Sequence, residues 1–419
     1  MFTYKSLGAA LLLCAAVLPL AAQNTKDKGV FMENKGGYYQ NTILRDINAY
    51  DESQALPEAP PKRFKVDLSQ AQLPTEPDKY KQVWHHKPTS QGRTGSCWCF
   101  STTSFFESEV KRLSGKEVRL SEMFVVYYEY VERAEYFVQT RGKMHLGEGS
   151  ETNAVYKLYK KYGVVPHEAY TGLKNNQKFH NHEDMFAEIE RYLASVKERN
   201  AWNKTEVVST VKSILNFYMG EPPTTVRVNG KDMSPKTYME QELKLKPDDY
   251  VDLMSLMEVP YYKQGEYKVP DNWWRDATYY NVPLDGFMTA VKNAIMAGYS
   301  ISIGGDTSES GFETGKQVAI VPSYDIPSEY IDEHARQFRF LNGTTTDDHA
   351  MHLVGYQEFN GKTWYLVKDS GAGSRNCGET CKQFGYYFIH EDYVKLKMMT
   401  FTVHRDAVKD LLKSFTAKP

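Results

Sequence analysis

The patterning of the chain changes character at Pro283, and that change limits the folds open to it. Before it, apolar residues recur at helical spacing over residues 98 to about 111, 123–139 and 152–162. Gly163 stops the last of these runs, and Pro166 follows just beyond. After Pro283, a helix over 286–297 gives way to short β-rich runs at 299–303, 349–357, 363–368, 386–389 and 398–404. Helices first and strands later predict an α+β protein with a mainly helical lobe and a β lobe. Between them, the segment from about 180 to 260 alternates polar helical runs with breaks at Gly220 to Pro223 and at Pro235. The Met-rich run at 253–257 reads as core packing. No internal repeat is evident.

The ends of the chain bound where it works. Residues 1–22 carry one Lys, an apolar run from Leu7 to Leu20, and small residues at Ala21 and Ala22. This is the plan of a secretory signal peptide, with cleavage expected near Ala22 and Gln23 and an exported product, periplasmic or secreted. The apolar run is too short to span a bilayer comfortably, so no stable membrane insertion is expected. Cys14 lies inside that run rather than at its end, which argues against lipid attachment. Residues 23–62 are polar and finish in a Pro-rich stretch, and they read as an extension and linker, disordered in part. A main domain is expected over 63–405 and a C-terminal arm over 406–419. With 51 Lys and Arg against 53 Asp and Glu, and no basic stripe, the chain has no dedicated nucleic-acid surface. Four Cys outside the signal are too few for a disulfide scaffold at this length. Cys377 and Cys381 are spaced so that pairing is permitted but not required.

One segment carries chemistry. Gln91-Gly92-Arg93-Thr94-Gly95-Ser96-Cys97-Trp98-Cys99-Phe100 places a Gly-containing turn directly before a helical run. A thiol at a helix N-terminus is held toward thiolate by the helix dipole, and an imidazolium beside it adds to the effect. Cys97 occupies that position; Cys99 falls inside the helix, where a small buried residue is expected.

A thiolate nucleophile needs a base, and the base needs an orienting group. His349 opens a strand in Asp347-Asp348-His349-Ala350-Met351-His352, and His352 is its rival. Strand alternation puts the two on opposite faces, so at most one faces Cys97. The Asp and His residues here also raise a metal site, but no second cluster completes a ligand set, and no metal or cofactor is expected. Asp369, at the end of Trp364-Tyr365-Leu366-Val367-Lys368-Asp369, can accept the imidazole N–H, or it can be a plain turn residue before Ser-Gly. Gln91 and the Cys97 N–H can both donate to an oxyanion, whereas a surface Gln would have no such task.

These residues also carry a family likeness. Gly95-Ser96-Cys97-Trp98 resembles the active-site segment of papain-like cysteine peptidases, although Thr94 stands where papain and cathepsins have a disulfide-forming Cys. Lys368-Asp369-Ser370-Gly371-Ala372-Gly373 is similar to their Lys-Asn-Ser-Trp-Gly segment, with Asn replaced by Asp and the shielding Trp by Gly. Gly149-Ser150 resembles the Gly-Gly pair whose backbone holds extended substrate, and with Trp98 it makes up the candidate substrate-binding set.

Within that superfamily the chain is most similar to the bleomycin hydrolase and aminopeptidase C branch. The likeness rests on residues 120–137, on 214–261 including Gly220-Glu221-Pro222-Pro223, and on Ile303-Gly304-Gly305-Asp306. It implies a papain-like fold of a helical lobe and a barrel-like β lobe with a long helical insertion over about 175–283, and peptide-bond cleavage through an acyl-enzyme on Cys97, with no cofactor. It also implies a homohexamer that trims amino-terminal residues, with a C-terminal arm acting as a ruler in the cleft. Relatives of this branch are mostly cytosolic, so the signal peptide is a departure. Two other classes fit the departures: a degenerate peptidase fold kept for binding or scaffolding, and an acyltransferase using a Cys-His-Asp set.

Overall fold

The computed structural model describes residues 26–33, 62–174, 176–378 and 380–416, together with positions 44, 45 and 49. The expected signal peptide, most of the expected linker and the last three residues of the expected arm lie outside the described residues.

Five helices build the helical lobe: α1 (Cys97–Ser114), α2 (Glu122–Gln139), α3 (Asn153–Tyr162), α4 (Glu183–Glu198) and α5 (Lys204–Met219). Their ends follow from local chemistry. Ser121 caps α2 by accepting the Phe124 N–H at 3.0 Å, and Asn203 caps α5 through the N–H groups of Thr205 and Glu206. Helix α3 stops at Gly163, whose φ is +79° and whose absent Cβ would meet the Pro235 backbone at 2.3 Å. The apolar faces of these helices close on one core that includes Phe105, Phe106, Phe124, Leu158 and Leu215.

The β lobe is built on one open sheet of eleven strands, mostly antiparallel, so the barrel-like expectation gives way to a sheet with two free ends. At its centre His349–Phe359 pairs with Lys362–Lys368 on one side and Ile301–Gly305 on the other, and Met398–His404 follows. Ile301–Gly305 and Met398–His404 are buried along their whole length, because helices cover the sheet. Leu284–Met296 packs over a second core containing Phe287, Ile303, Met351 and Phe401.

Two expectations are corrected. The insertion is helical only in its first half: Tyr250–Met254 and Tyr279–Asn281 are strands that extend the sheet beyond Met398–His404. Within the Met-rich run Met254 is fully buried, while Met257 is exposed. The expected linker contains a strand, Gly29–Glu33, paired antiparallel with Lys62–Val66. Asp27 and Ser323 then exchange hydrogen bonds of 2.7 and 2.8 Å, which ties this end of the chain to the β lobe.

The lobes meet along a polar seam between α1 and the sheet. Thr102 and Ser302 hydroxyls are 2.9 Å apart, Ser104 Oγ is 2.8 Å from His352 Nδ1, and Lys368 Nζ donates to Ser104 at 2.8 Å. Thr152 and Thr402 hydroxyls meet at 2.7 Å, and Thr402 donates to Asp252 at 2.6 Å. Every partner is buried, so each hydrogen bond avoids the cost of a stranded polar group and fixes the register of the lobes.

Candidate active site

Cys97 is the first residue of α1, with Ser96 at the cap position. Its loop is held on both sides. The Gly95 N–H donates to Glu148 Oε2 at 2.8 Å, and the Arg93 N–H donates to the His180 carbonyl at 2.8 Å. Gln91 is fully buried, so it is not a surface residue. Its Nε2 donates to the Thr94 carbonyl at 2.8 Å, and its Oε1 accepts from Ser370 Oγ at 2.7 Å. The Gln91 N–H also donates to the Ser370 carbonyl at 3.1 Å, so the loop before the Cys is stitched to the residue after Asp369.

Cys97 is partly exposed and free; Cys99 is free but buried. The Cys99 thiol donates to the Glu122 carbonyl at 3.2 Å, and burial pushes its pKa well above the ordinary thiol range.

His349 stands at the first position of its strand, as expected. Its Nε2 is 2.6 Å from Asp369 Oδ1, with both side chains fully buried. With Nε2 committed to Asp369, Nδ1 is the nitrogen that serves Cys97, the other hydrogen-bond partner of the ring. Burial alone would lower the His349 pKa, but the Asp369 carboxylate and the Cys97 thiolate outweigh it and hold the pKa well above the usual imidazole value. Asp369 Oδ2 accepts the Gly371 N–H at 3.0 Å, which fixes the carboxylate.

His352 points elsewhere. It binds Ser104 in the seam, and burial together with Lys368 drops its pKa well below normal. The structure therefore brings together Cys97, His349, Asp369 and Gln91. Trp98 is not on the cleft wall: it is 1% exposed, packs in the helical core, and donates Nε1 to the Glu148 carbonyl at 3.3 Å.

Gly149 and Ser150 are adjacent to the pair. Arg133 Nη2 donates to the Gly149 carbonyl at 2.5 Å. A Cβ at 149 would lie 2.1 Å from Asp271 Oδ2, so glycine leaves room for that carboxylate. A small cavity beside Cys97 and His349 is lined by Ser150, Glu151, Asp271 and Asp347. Sequence reasoning took Asp347 only as a metal alternative and missed Glu151 and Asp271. No three His, Cys, Asp or Glu side chains among the described residues converge as a metal site. Asp348 instead accepts from the Thr307 N–H and hydroxyl at 2.9 and 3.0 Å, a loop-fixing role.

Arg375 was also missed. It donates to the carbonyls of Ser370 at 3.0 Å, of Gly371, and of Thr89 at 2.8 Å. Cys377 and Cys381, just beyond, are paired as a disulfide with Cα atoms 5.9 Å apart.

Aminopeptidase G of Lactobacillus delbrueckii subsp. lactis is 21% identical over 362 residues, covering 76% of this chain and 80% of that protein. Aminopeptidase C of Listeria monocytogenes is 21% identical over 397 residues, covering 83% and 88%. The crystal structure of PepW from Lactobacillus rhamnosis HN001 superposes with a TM-score of 0.62 at 16% identity, covering 82% of this chain and 87% of that one, and so shows a shared papain-like fold. The profile of the Peptidase C1-like family matches residues 66–142 and 143–419. The chain belongs to the Peptidase C1-like family and is a cysteine peptidase.

Proposed function

We propose that this protein is an exported cysteine peptidase that hydrolyses peptide bonds through an acyl-enzyme on Cys97, trimming amino-terminal residues in preference to cutting internally. The observation that carries the reading is the contact chain from Cys97 through His349 to Asp369 at the head of α1.

His349, held as imidazolium by Asp369, keeps Cys97 as thiolate. The thiolate attacks the peptide carbonyl, and the Cys97 N–H and the second Gln91 amide hydrogen donate to the oxyanion. His349 passes its proton to the leaving amine, and it then takes one from the water that cleaves the thioester. Asp369 positions the ring throughout. The Gly149 and Ser150 backbone holds the substrate in extended form. The homohexamer implied by the resemblance belongs to this same reading.

Export is supported by the apolar plan of residues 1–22 and by the Cys377–Cys381 disulfide, which suits an oxidising compartment. The aminopeptidase preference is supported by the names of the relatives. One observation favours an endopeptidase instead. The helix Lys409–Thr416 is anchored on the sheet, with the Phe415 ring centroid 4.8 Å from that of Tyr280 and 6.0 Å from that of Tyr262.

The test compares residues 23–419, with and without 416–419, on free-amine and N-blocked fluorogenic peptides. Preference for free amines that disappears on truncation supports an arm acting as a ruler. Internal cutting of blocked peptides by the intact protein, unchanged by truncation, makes it an endopeptidase.

A further inference from the structure

Several carboxylates elsewhere in this protein have cationic partners, as Glu129 has Arg133, Asp276 has Lys157 and Glu309 has Lys397, while buried Asp252 and Asp306 are held by hydroxyl and backbone donors, Asp252 by Tyr156 and Thr402 and Asp306 by Thr346 and Ser308. Those lining the cavity beside Cys97 have no cationic partner. Among the described residues, buried Glu151 and half-buried Asp271 and Asp347 make no ion pair, although withdrawing unpaired carboxylates from water is costly. The nearest bases are engaged elsewhere: Lys157 near Glu151 binds Asp276, and Arg133 near Asp271 binds Glu129 and the Gly149 carbonyl. His145 is the remaining base near Asp271.

A second observation points to a missing ligand. Ser150 Oγ, in a residue 6% exposed that lines the cavity, has no hydrogen-bond partner, while Glu151 and Asp347 hydrogen-bond to each other and are approached by the hydroxyls of Tyr279 and Tyr267. Three acids without a cation and an unpartnered hydroxyl thus surround one opening next to the nucleophile.

We propose that the pocket of Ser150, Glu151, Asp271 and Asp347 is a subsite for a primary ammonium group of the peptide substrate. The inference rests on the peptidase reading and extends it to what the enzyme selects. The accessible volume is about 20 Å³, room for one water-sized group, which suits an ammonium and not a guanidinium. The lack of three converging ligand side chains argues against a metal ion as the occupant.

The electrostatics agree with the geometry. Burial raises the Asp347 pKa to about 7, with repulsion from Asp271 and Asp348 adding to it, and burial together with Asp347 raises Glu151 well above its usual range. Asp252, Tyr267 and Tyr279 also face these groups, and Lys157 is the one base close to Glu151. An ammonium seated here supplies the charge the cluster lacks. It can come from the α-amine of a short substrate or from a lysine side chain of a longer one.

The test measures kcat/KM as a ratio within two substrate pairs. The first pair is alanyl coumarylamide and its N-acetyl form. The second is N-acetyl-lysyl-alanyl and N-acetyl-norleucyl-alanyl coumarylamide. The mature protein should prefer the cationic member of one pair by at least tenfold, and Asp347→Asn and Asp271→Asn should each cut that ratio tenfold or more. Movement in the first pair identifies the α-amine, and movement in the second identifies lysine. Ratios equal in wild type and in variants that melt as wild type overturn the proposal; if one variant does not fold, the other and Glu151→Gln carry the comparison.

Calorimetry separates this proposal from the peptidase reading. The same four peptides, as carboxamides, are titrated into the Cys97→Ala protein with and without Asp347→Asn. Should wild type cleave nothing, the peptidase reading falls. The subsite then stands on a tenfold binding preference for the ammonium that is lost in the double variant, and it is overturned by equal affinities.

Discussion

Replacing Asp369 tests the electrostatic core of the site. Its carboxylate lies 2.6 Å from His349 Nε2 with both side chains fully buried, so screening by water is weak. At an effective dielectric of about 20, unit charges centred about 4 Å apart interact by about 4 kcal/mol, which favours the imidazolium. Asp369→Asn removes that charge but leaves an oxygen to accept from Nε2. His349 then loses its proton at lower pH, and the ion pair with Cys97 is lost with it. The alkaline limb of kcat/KM should move to lower pH, with activity at the optimum within about tenfold of wild type. Asp369→Ala also strands the Gly371 N–H, now 3.0 Å from Oδ2, and frees the ring to turn; a loss of about 100-fold or more is expected. Rates of Cys97 alkylation against pH give a second reading that does not depend on turnover. Alkaline limbs that coincide in all three proteins would refute the reasoning and leave Asp369 as a turn residue.

Iodoacetamide should label Cys97 first, because Cys99 is buried and its thiol pKa is raised by that burial; Cys97→Ala should abolish activity and Cys99→Ala should not, and the reverse pattern would overturn the assignment. Asp347, raised to about 7 from an ordinary 3.8, contributes stability that is full below pH ~4 and is lost as pH rises through 7, an effect of at most about 4 kcal/mol shared with Glu151. Thermal melts at pH 5 and pH 8 should therefore differ less in Asp347→Asn than in wild type, and an unchanged difference would count against the burial of this charge. Gly149→Ala should lower kcat/KM on cationic substrates more than on neutral ones, because its Cβ would displace the Asp271 carboxylate, whereas an equal loss on both would point to backbone damage alone.

What could be read from the sequence was the chemistry carried by short segments. Cys97, Gln91 and the start of α1 are covalent neighbours, and His349 and Asp369 sit at strand ends that hydrophobic patterning marks. What was missed depends on contacts between distant segments. Tyr250–Met254 is buried at every residue, so it shows no alternation by which a strand could be recognised. Gly29–Glu33 has a polar, Gly-rich setting that reads as linker until Lys62–Val66 pairs with it. Glu151, Asp271 and Asp347 come from three separate segments, and their approach is a property of the fold alone. Trp98 was misplaced because its neighbour Cys97 faces the cleft while its own side chain, one helical step on, turns into the core.

The exchange of Trp for Gly at 371 shows how a local departure can mislead about function. On sequence alone, losing the aromatic shield suggests a wet, weakened His349–Asp369 pair and so a degenerate site. The pair is nevertheless fully buried. Arg375 gathers the carbonyls of Ser370, Gly371 and Thr89, and its guanidinium lies 5.6 Å from the Phe384 ring centroid. The loop is thereby folded over the pair by hydrogen bonds rather than covered by an indole. The Gly371 N–H donates to Asp369 Oδ2 at 3.0 Å and so supplies a backbone donor to the carboxylate. The charge at 369 is thus satisfied by the backbone at 371 as well as by His349, and Arg375 ties down the loop that follows them.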